Sequence, residues 1–220
     1  MEIVIDRRFR GPDDSANGGY ACGLIARSVE GPAVVTLRSP PPLDVPLRVA
    51  DGEVWSGNTL VAEIAPTQVG LEPMPPPSWA AAAAARVTDP DSPFPNCFVC
   101  GWARGDDGLH IHPGPIGSGV VAAPWVPRDD TVGEQFVWAA LDCPGAYATG
   151  VLGRGTVVLG RLAARVERVP SAGERCVVVG WSLGVEGRKH HAGTALFSGP
   201  ELLGVAQAVW IEPRPASGPG

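Results

Sequence analysis

The chain has 220 residues, 45% of them hydrophobic and 18% charged, a balance typical of a globular protein and not of a disordered one. Its formal net charge of −6 at pH 7 argues against nucleic acid as the main partner, because phosphate binding needs a basic surface. No apolar run approaches the roughly 20 residues that span a bilayer, so no membrane segment is expected.

Residues 1–72 are predicted to form a first structural unit. Ser15 or Asn17 can cap a helix that runs to about Val29, and Gly31-Pro32 ends it. The predicted strands of this unit are Glu2 to Phe9, Ala33 to Arg38, Leu47 to Val49, Gly52 to Ser56 and Thr59 to Ala65. The order is therefore a strand, a helix and then several further strands.

Residues 73–95 are predicted to be a linker. Four prolines make a stiff extended stretch at Pro73, Pro75, Pro76 and Pro77. The alanine-rich run from Ala80 to Val87 is long enough for one or two turns of helix. We interpret the whole segment as a spacer that crosses from one unit to the next.

Residues 96–213 are predicted to repeat the plan of the first unit. A helix is expected from Gly133 to about Thr149, and Pro144 should kink it or end its first segment near Asp142. The predicted strands are Gly108 to His112, Gly119 to Trp125, Val157 to Val169, Arg175 to Val185, Arg188 to Ser198 and Leu203 to Glu212. A helix covering an antiparallel sheet in each half gives an α+β protein, and the Pro/Gly-rich tail, 214–220, is expected to be disordered.

The two predicted helix starts divide one set of polar groups between them. Asn17-Gly18-Gly19 opens the first helix, and Ala26 follows seven residues after Gly19. Glu134-Gln135 opens the second, and Asp142 follows seven residues after Gln135. One half offers backbone N–H groups free of side chains and the other offers a carboxylate. This asymmetry indicates a duplicated fold with one composite active site.

A structural interpretation of the same residues is also open. Asn17-Gly18-Gly19 could serve only as an N-cap followed by a close contact between helix and sheet. Asp142 could face solvent, or could cap the segment that follows Pro144. Against this, a carboxylate in an otherwise apolar stretch of helix needs a partner or a purpose.

These segments resemble parts of the hotdog fold, in which an antiparallel sheet wraps around one long helix. Asn17-Gly18-Gly19-Tyr20 is similar to the start of many hotdog helices, and Leu141-Asp142 is spaced as in phenylacetyl-CoA thioesterase-like members. The segment Cys97-Phe98-Val99-Cys100-Gly101 resembles the entry segment of other hotdog proteins. Two copies in one chain look like a double-hotdog acyl-CoA thioesterase, which implies two tandem hotdog folds.

The resemblance implies hydrolysis of an acyl-CoA, or of an acyl group on a carrier protein, without a metal or organic cofactor. The catalytic residues would be Asn17, Gly18, Gly19 and Asp142. A glycine N–H would polarise the thioester carbonyl, and Asp142 would act as nucleophile or as the base that activates water. The opposite site would be inactive, because Ala26 replaces the carboxylate there and the paired glycines are missing.

Further residues are predicted to bind the substrate. Tyr20, Gln135 and Trp138 belong to the two helix starts and are expected to contact it. Arg188 and Lys189 belong to the densest basic cluster, which could clamp the phosphates of coenzyme A with charge-assisted hydrogen bonds. An exposed hairpin turn would explain the same cluster without any ligand.

The cysteines suggest a reducing environment. Their number, five, is odd, and no basic and apolar leader precedes Asp6-Arg7-Arg8, so we expect a cytoplasmic protein with free thiols. Cys97-x-x-Cys100 together with His110 and His112 invites a zinc interpretation. Because the motif lies in a Pro/Gly-rich loop, no stoichiometric zinc is expected.

Two other functions stay open at this point. The protein could be a non-catalytic module that binds acyl thioesters. It could also be a hotdog dehydratase or hydratase, although neither predicted helix carries the His that those enzymes usually pair with a carboxylate. A homo-oligomer of double-hotdog units is a further expectation.

Overall fold

The structure is a computed structural model that describes residues 1–88, 92–151 and 155–213. The strands of the first part of the chain are β1 (Glu2–Val4), β2 (Ala33–Leu37), β3 (Pro46–Ala50), β4 (Glu53–Ser56) and β5 (Thr59–Pro66). The later strands are β6 (Gly114–Gly117), β7 (Val120–Trp125), β8 (Val158–Val166), β9 (Cys176–Glu186), β10 (Lys189–Ser198) and β11 (Glu201–Ile211). The helices are α1 (Gly18–Ala26), α2 (Trp79–Ala85), α3 (Glu134–Ala140) and α4 (Cys143–Ala148).

All of these strands pair in one antiparallel sheet with the order β1-β3-β4-β5-β2-β8-β11-β10-β9-β7-β6. The two halves mirror each other about the centre of the sheet. Counted outward from the centre, β2-β5-β4-β3-β1 of the first half correspond to β8-β11-β10-β9-β7 of the second. The two halves meet where β2 pairs with β8, from Ala33 opposite Ala164 to Thr36 opposite Arg161. The two halves therefore share one continuous sheet.

Helices α1, α3 and α4 share one face of this sheet and one hydrophobic core. The alternation of strand residues separates the two faces, because Val178 and Leu196 belong to that core while Phe197 and Val179 belong to a second cluster behind the sheet. The core joins residues of both halves, including Ile25 from α1 and Leu141 after α3. Helices α1, α3 and α4 therefore lie on the same side of the sheet.

The predicted linker also builds part of the fold. Its helix α2 confirms the one or two helical turns expected from the alanine run. Ala82 is fully buried in the second cluster, and Trp79 packs against the same cluster. A side chain at Gly114 would overlap the carbonyl of Ala85, so strand β6 and α2 are in direct contact. The segment does more than connect, because it covers the face of the sheet opposite the other helices.

The helices are shorter than the long helix expected in each half. Helix α1 ends at Ala26, before the predicted Val29, because Ser28 and Val29 donate to Ile25 and Ala26 in a tighter turn. The second predicted helix is divided into α3 and α4, with Pro144 in the first turn of α4. The predicted effect of Pro144 is thereby confirmed, since proline fits only the first turn of a helix.

Two predicted strands also differ from the structure. The first strand ends at Val4, because Asp6 caps a short 3-10 helix over Arg7–Phe9. The stretch from Gly108 to His112 is not a strand, although Leu109 and Ile111 donate to backbone carbonyls of the 97–101 segment. The left-handed backbone of His110, with φ of 55°, interrupts the extended run.

The predicted disordered tail, 214–220, lies outside the described residues. In the part of the chain that the structure describes, no helix combines the length and the apolar character that crossing a bilayer requires.

Candidate functional site

Asn17 is the N-cap of α1 and links this helix to the other half of the site. Its side-chain Oδ1 accepts a hydrogen bond from the Tyr20 backbone N–H at 2.9 Å, which satisfies one of the unpaired amides of the first turn. Because Oδ1 is used by the cap, the amide must present Nδ2 to its other neighbour. Nδ2 donates to Oδ2 of Asp142 at 2.8 Å.

Asp142 lies at the break between α3 and α4 and is only 2% exposed. The interpretation in which it faces solvent is therefore wrong. It occupies the N-cap position of α4 but forms no side-chain capping bond there. Its other carboxylate oxygen, Oδ1, is buried and has no hydrogen-bond partner among the described residues. Thr194 stabilises the break, because its Oγ1 donates to the Leu141 carbonyl at 2.7 Å.

Gly19 and Gly23 allow α1 to approach α3 closely. A side chain at Gly19 would overlap Cβ of Asp142 and lie 2.8 Å from the Trp138 carbonyl oxygen, while one at Gly23 would lie 2.7 Å from Cα of Gln135. The missing side chain at Gly19 does not open space for a ligand. The space beside its Cα is filled by the other helix, so Gly19 serves helix packing.

A cavity of about 310 Å³ opens beside Asn17 and Asp142. Gly18 also lines it, at the first position of α1, where backbone N–H groups have no partner within the helix. Most of the remaining wall is apolar, with large side chains from Phe94, Tyr147, Leu159, Trp210 and Ile211. The cavity therefore combines an apolar wall with a few convergent polar groups, as small-molecule sites generally do.

Burial controls the protonation of Asp142. Loss of hydration raises the pKa of this carboxyl to about 7, and nearby Cys97 acts in the same direction. The Gly19 backbone N–H, the Asn17 amide and the Cys143 thiol lower the pKa and limit the rise. A carboxyl group in this range can accept and release a proton near neutral pH.

Three thiols lie next to this carboxylate. The Sγ atoms of Cys97, Cys100 and Cys143 are all within 4.8 Å of one another, and all three residues are buried. The Cys/His set that the alternative zinc interpretation requires is not formed, because neither His110 nor His112 belongs to this group. The five cysteines of the chain are free thiols.

The predicted substrate contacts of the two helix starts do not line the cavity. Tyr20 is buried in an aromatic cluster and stacks on Phe9 with ring centroids 3.9 Å apart. Gln135 and Trp138 lie on the side of α3 that packs against Gly23. Gln135 contacts Gly23 through its backbone and Trp138 does so through its Cβ, and the structure brings neither residue to the cavity.

Arg188 and Lys189 occupy the exposed turn between β9 and β10. The Arg188 guanidinium donates to the Glu212 backbone carbonyl at 2.7 Å. Lys189 is paired across the sheet with Ile211, which lines the cavity. Neither basic residue lines the cavity itself, although their hairpin borders its wall.

A second cavity, of about 250 Å³, is lined by Arg7, Arg8, Arg10 and Arg104 and also by Asp107. Three of these arginines are paired with carboxylates: Arg7 with Asp44, Arg8 with Asp130 and Arg104 with Asp107. Arg10 forms no ion pair with a described residue, and its buried Nε has no hydrogen-bond partner there. Arg10 and Asn96 in this cavity are the chain neighbours of Gly11 and Cys97 in the first. The two cavities are therefore adjacent.

The cavity at the equivalent place in the other half has different lining residues. Ala26 and Glu134 line a third cavity together with Arg27 and Glu30. Glu134 is exposed in the first turn of α3, where a negative charge complements the helix dipole. The polar groups of the first cavity are therefore not repeated here.

Some residues of the site carry no clear sequence signal. Thr194 and Trp210 come from strands more than 50 residues beyond Asp142 in the chain, so only the sheet register brings them near it. Cys143 is next to Asp142 in sequence, but its contact with Cys97 depends on the fold. Its position next to Asp142 is the one feature of the sequence that places Cys143 near the site.

The sequence matches no protein-family model, and no curated protein matches it either. Solved structures do resemble it. A proposed thioesterase II from Thermobifida fusca superposes with a TM-score of 0.65 at 12% identity, over 97% of this chain and 92% of the other. An acyl-CoA thioesterase II from Mycobacterium marinum gives a TM-score of 0.57 at 14% identity, over 94% and 92% of the two chains.

A protein of unknown function with the hotdog fold, from Alicyclobacillus acidocaldarius, is similar over 98% of this chain and 93% of its own length. Its TM-score is 0.62 and its identity 11%. At identities this low the likeness establishes a shared fold. The chain therefore has the hotdog fold, with an antiparallel sheet and few helices.

Proposed function

We propose that the protein hydrolyses an acyl thioester at the site formed by Asn17, Gly18, Gly19 and Asp142. The observation that supports this most directly is the 2.8 Å hydrogen bond from Asn17 to the buried carboxylate of Asp142, on the wall of an apolar cavity. Similar folds are found in proteins named as thioesterases, including an acyl-CoA thioesterase II. The carboxylate comes from one half of the chain and the helix start from the other.

In the proposed reaction, Asp142 is a general base. Its unpartnered Oδ1 takes a proton from a water molecule, and the water oxygen attacks the thioester carbonyl carbon. The Gly18 N–H and the positive end of α1 stabilise the negative charge that develops on the carbonyl oxygen. The carbon–sulfur bond then breaks, the thiolate receives the proton, and a carboxylic acid and a thiol are released. Asn17 holds the carboxylate in place throughout.

The composite site fits a chain made of two hotdog units, which we propose are residues 1–72 and 96–213. The mirrored strand order supports this division, because each half contributes five corresponding strands on either side of the β2–β8 pair. Helices α1 and α3 are then the equivalent helices of the two units. The start of α1 at Asn17 meets the end of α3 at Asp142. Only one of the two equivalent positions would be active, because Ala26 stands where the second carboxylate would be.

The leaving group is proposed to carry phosphates, as coenzyme A does. The arginine-lined cavity beside the main one supports this, since Arg10 lacks an ion-pair partner among the described residues. In an acidic protein a cation without a paired carboxylate can help to hold an anionic ligand. The second candidate for this role is the hairpin with Arg188 and Lys189.

The proposal is tested by measuring thiol release from a panel of acyl-CoAs and from matching N-acetylcysteamine thioesters, which lack phosphates. Asp142→Asn should lower turnover by about 10²–10⁴-fold, because the amide keeps the shape but cannot accept the water proton. Glu134→Gln, which changes a carboxylate of the equivalent cavity in the other half, is the control and should retain activity. Arg10→Gln should raise KM for the acyl-CoA and leave the N-acetylcysteamine thioester unaffected.

Some results would contradict the proposed function, and others would change the residues or the roles assigned to it. Hydrolysis that survives in Asp142→Asn but is lost in Glu134→Gln would move the site to the other cavity. Binding of acyl-CoA without hydrolysis would favour a binding module. A phosphate effect confined to Arg188→Gln or Lys189→Gln would place the clamp on the β9–β10 hairpin. Incorporation of ¹⁸O from labelled water into Asp142 during a single turnover would make it the nucleophile.

A further inference from the structure

The cluster of Cys97, Cys100 and Cys143 contributes no reacting group to the proposed hydrolysis. Its members come from two distant parts of the chain, yet their sulfur atoms converge within 4.8 Å. Buried thiols that serve only as packing have no need to meet in this way. We propose that these three cysteines bind one zinc ion as thiolates, with the fourth position open to the main cavity.

The spacing of the sulfur atoms fits this ion. Four sulfur-type ligands at about 2.3 Å around Zn²⁺ in a tetrahedron lie about 3.8 Å apart. The Sγ atoms of Cys97 and Cys143 are 3.8 Å apart. Thiolate ligands select soft or borderline metals such as Zn²⁺ over Mg²⁺ or Ca²⁺, whose ligands are oxygen atoms.

The turn that carries the first two ligands is shaped like a metal-binding loop. Cys97 and Cys100 have the two-residue separation typical of zinc ligands. The backbone N–H groups of Val99 and Cys100 lie against the Cys97 sulfur, where they can stabilise a thiolate. Gly101 closes the turn, because a side chain there would lie 2.6 Å from the Cys97 backbone.

The surroundings supply a second layer of donors and a route for the ion. Asn17 Nδ2 lies 3.7 Å from Cys97 Sγ and 3.9 Å from Cys143 Sγ, which places a polar N–H beside both sulfur atoms. Such outer contacts orient ligands and tune metal sites. All three cysteines line the main cavity, so solvent and ions can reach them.

The ligand set differs from the one that the sequence suggests. His110 and His112 follow the Cys97-x-x-Cys100 motif but are not part of the sulfur cluster. Cys143 takes their place from the break between α3 and α4. The zinc site would therefore tie the entry loop of the second half to the segment that carries Asp142.

The test is a metal titration of the folded, reduced, full-length protein, which needs no substrate and is independent of hydrolysis. Elemental analysis after incubation with Zn²⁺ and desalting should give one zinc per chain. Co²⁺ in place of Zn²⁺ should give the intense near-ultraviolet absorption of thiolate-to-cobalt charge transfer. Cys97→Ser, Cys100→Ser and Cys143→Ser should each reduce zinc content at least tenfold, whereas Cys176→Ser, a buried cysteine of β9, should retain it.

The wild-type titration decides the matter even if a serine variant fails to fold. Absence of stoichiometric zinc and of the cobalt absorption in the wild-type protein would overturn the proposal. So would zinc that survives in all three serine variants but is lost in His110→Ala or His112→Ala. A disulfide between Cys97 and Cys143, with no metal bound after its reduction, would identify the cluster as a redox pair instead.

Discussion

Asn17 performs two tasks with one amide group, and they can be separated by mutation. Its Oδ1 caps α1, and its Nδ2 holds Asp142. Asn17→Ser should keep the cap, since the serine hydroxyl can accept from the Tyr20 N–H, but it removes the donor to the carboxylate. Asn17→Ala removes both.

We therefore expect a difference between stability and turnover in these two variants. Loss of a hydrogen bond to a charged group, worth about 1.5–3 kcal/mol, should lower thioester turnover by roughly 10–100-fold in both. The alanine variant alone should lose about 1 kcal/mol of capping energy relative to the serine variant, or roughly 2–4 °C in Tm. Steady-state kinetics and calorimetry measure the two effects. Wild-type turnover in Asn17→Ser would show that the amide only caps the helix.

At the residue scale, the sequence identified the polar pair of the site but not its lining. Asn17 and Asp142 stand out because a capping residue before two glycines and a carboxylate in an apolar stretch are both locally unusual. Tyr20 and Trp138 are assigned to the core only by the structure, because an aromatic side chain near a site fits a pocket or a core equally well. Which of the two applies depends on the angle between α1 and α3.

The packing of α1 on α3 depends on glycines that have different neighbours. A methyl group at Gly19 would meet the Trp138 backbone and the Asp142 side chain, neither of which can easily move. One at Gly18 would meet only the side chain of Leu159, with Cδ2 at 2.8 Å and Cβ at 3.0 Å. Rotation of the side chain moves Cδ2 away, and the Cβ contact needs a shift of a few tenths of an ångström.

Gly19→Ala should therefore destabilise the protein more than Gly18→Ala. Overpacking at Gly19 costs about 1–3 kcal/mol, which exceeds the gain of at most about 1 kcal/mol in helix propensity. Circular dichroism melts should show a Tm several degrees lower for Gly19→Ala, and a change within about 2 °C for Gly18→Ala. Equal melting temperatures for the two variants would mean that the helices separate without cost.

At the element scale, local chemistry predicts where a helix forms or ends better than it predicts which other element the helix packs against. The division at Pro144 follows from the missing N–H of proline, and the α2 helix follows from its alanine run. Nothing local shows that α2 lies behind the sheet, because an alanine-rich helix is only weakly amphipathic. The contact of α2 with β6 is settled by Gly114, which has room only for a hydrogen atom beside Ala85.

The whole molecule is organised around a sheet that crosses the boundary between its halves. The repeated order of strands and helices predicts two similar halves, and the pairing of β2 with β8 joins them edge to edge. Such pairing satisfies the backbone groups that an exposed edge strand would leave free. The sequence does not specify which edges meet, because the apolar residues of β2 and β8 would suit any buried strand.

A continuous sheet and a shared core should make the halves unfold together. Leu162 of β8 is fully buried and lies opposite Val35 of β2, so Leu162→Ala weakens the joint itself. The cavity left behind costs about 2–5 kcal/mol, which lowers Tm by roughly 5–15 °C. Hydrogen exchange followed by mass spectrometry should show that peptides from β4 and β10, far apart on either side of the joint, lose protection together. In each protein both peptides should do so at one denaturant concentration, which is lower in the variant than in wild type. Earlier loss in one half, with the other still protected, would mean that the two halves are independent folding units joined by a weak contact.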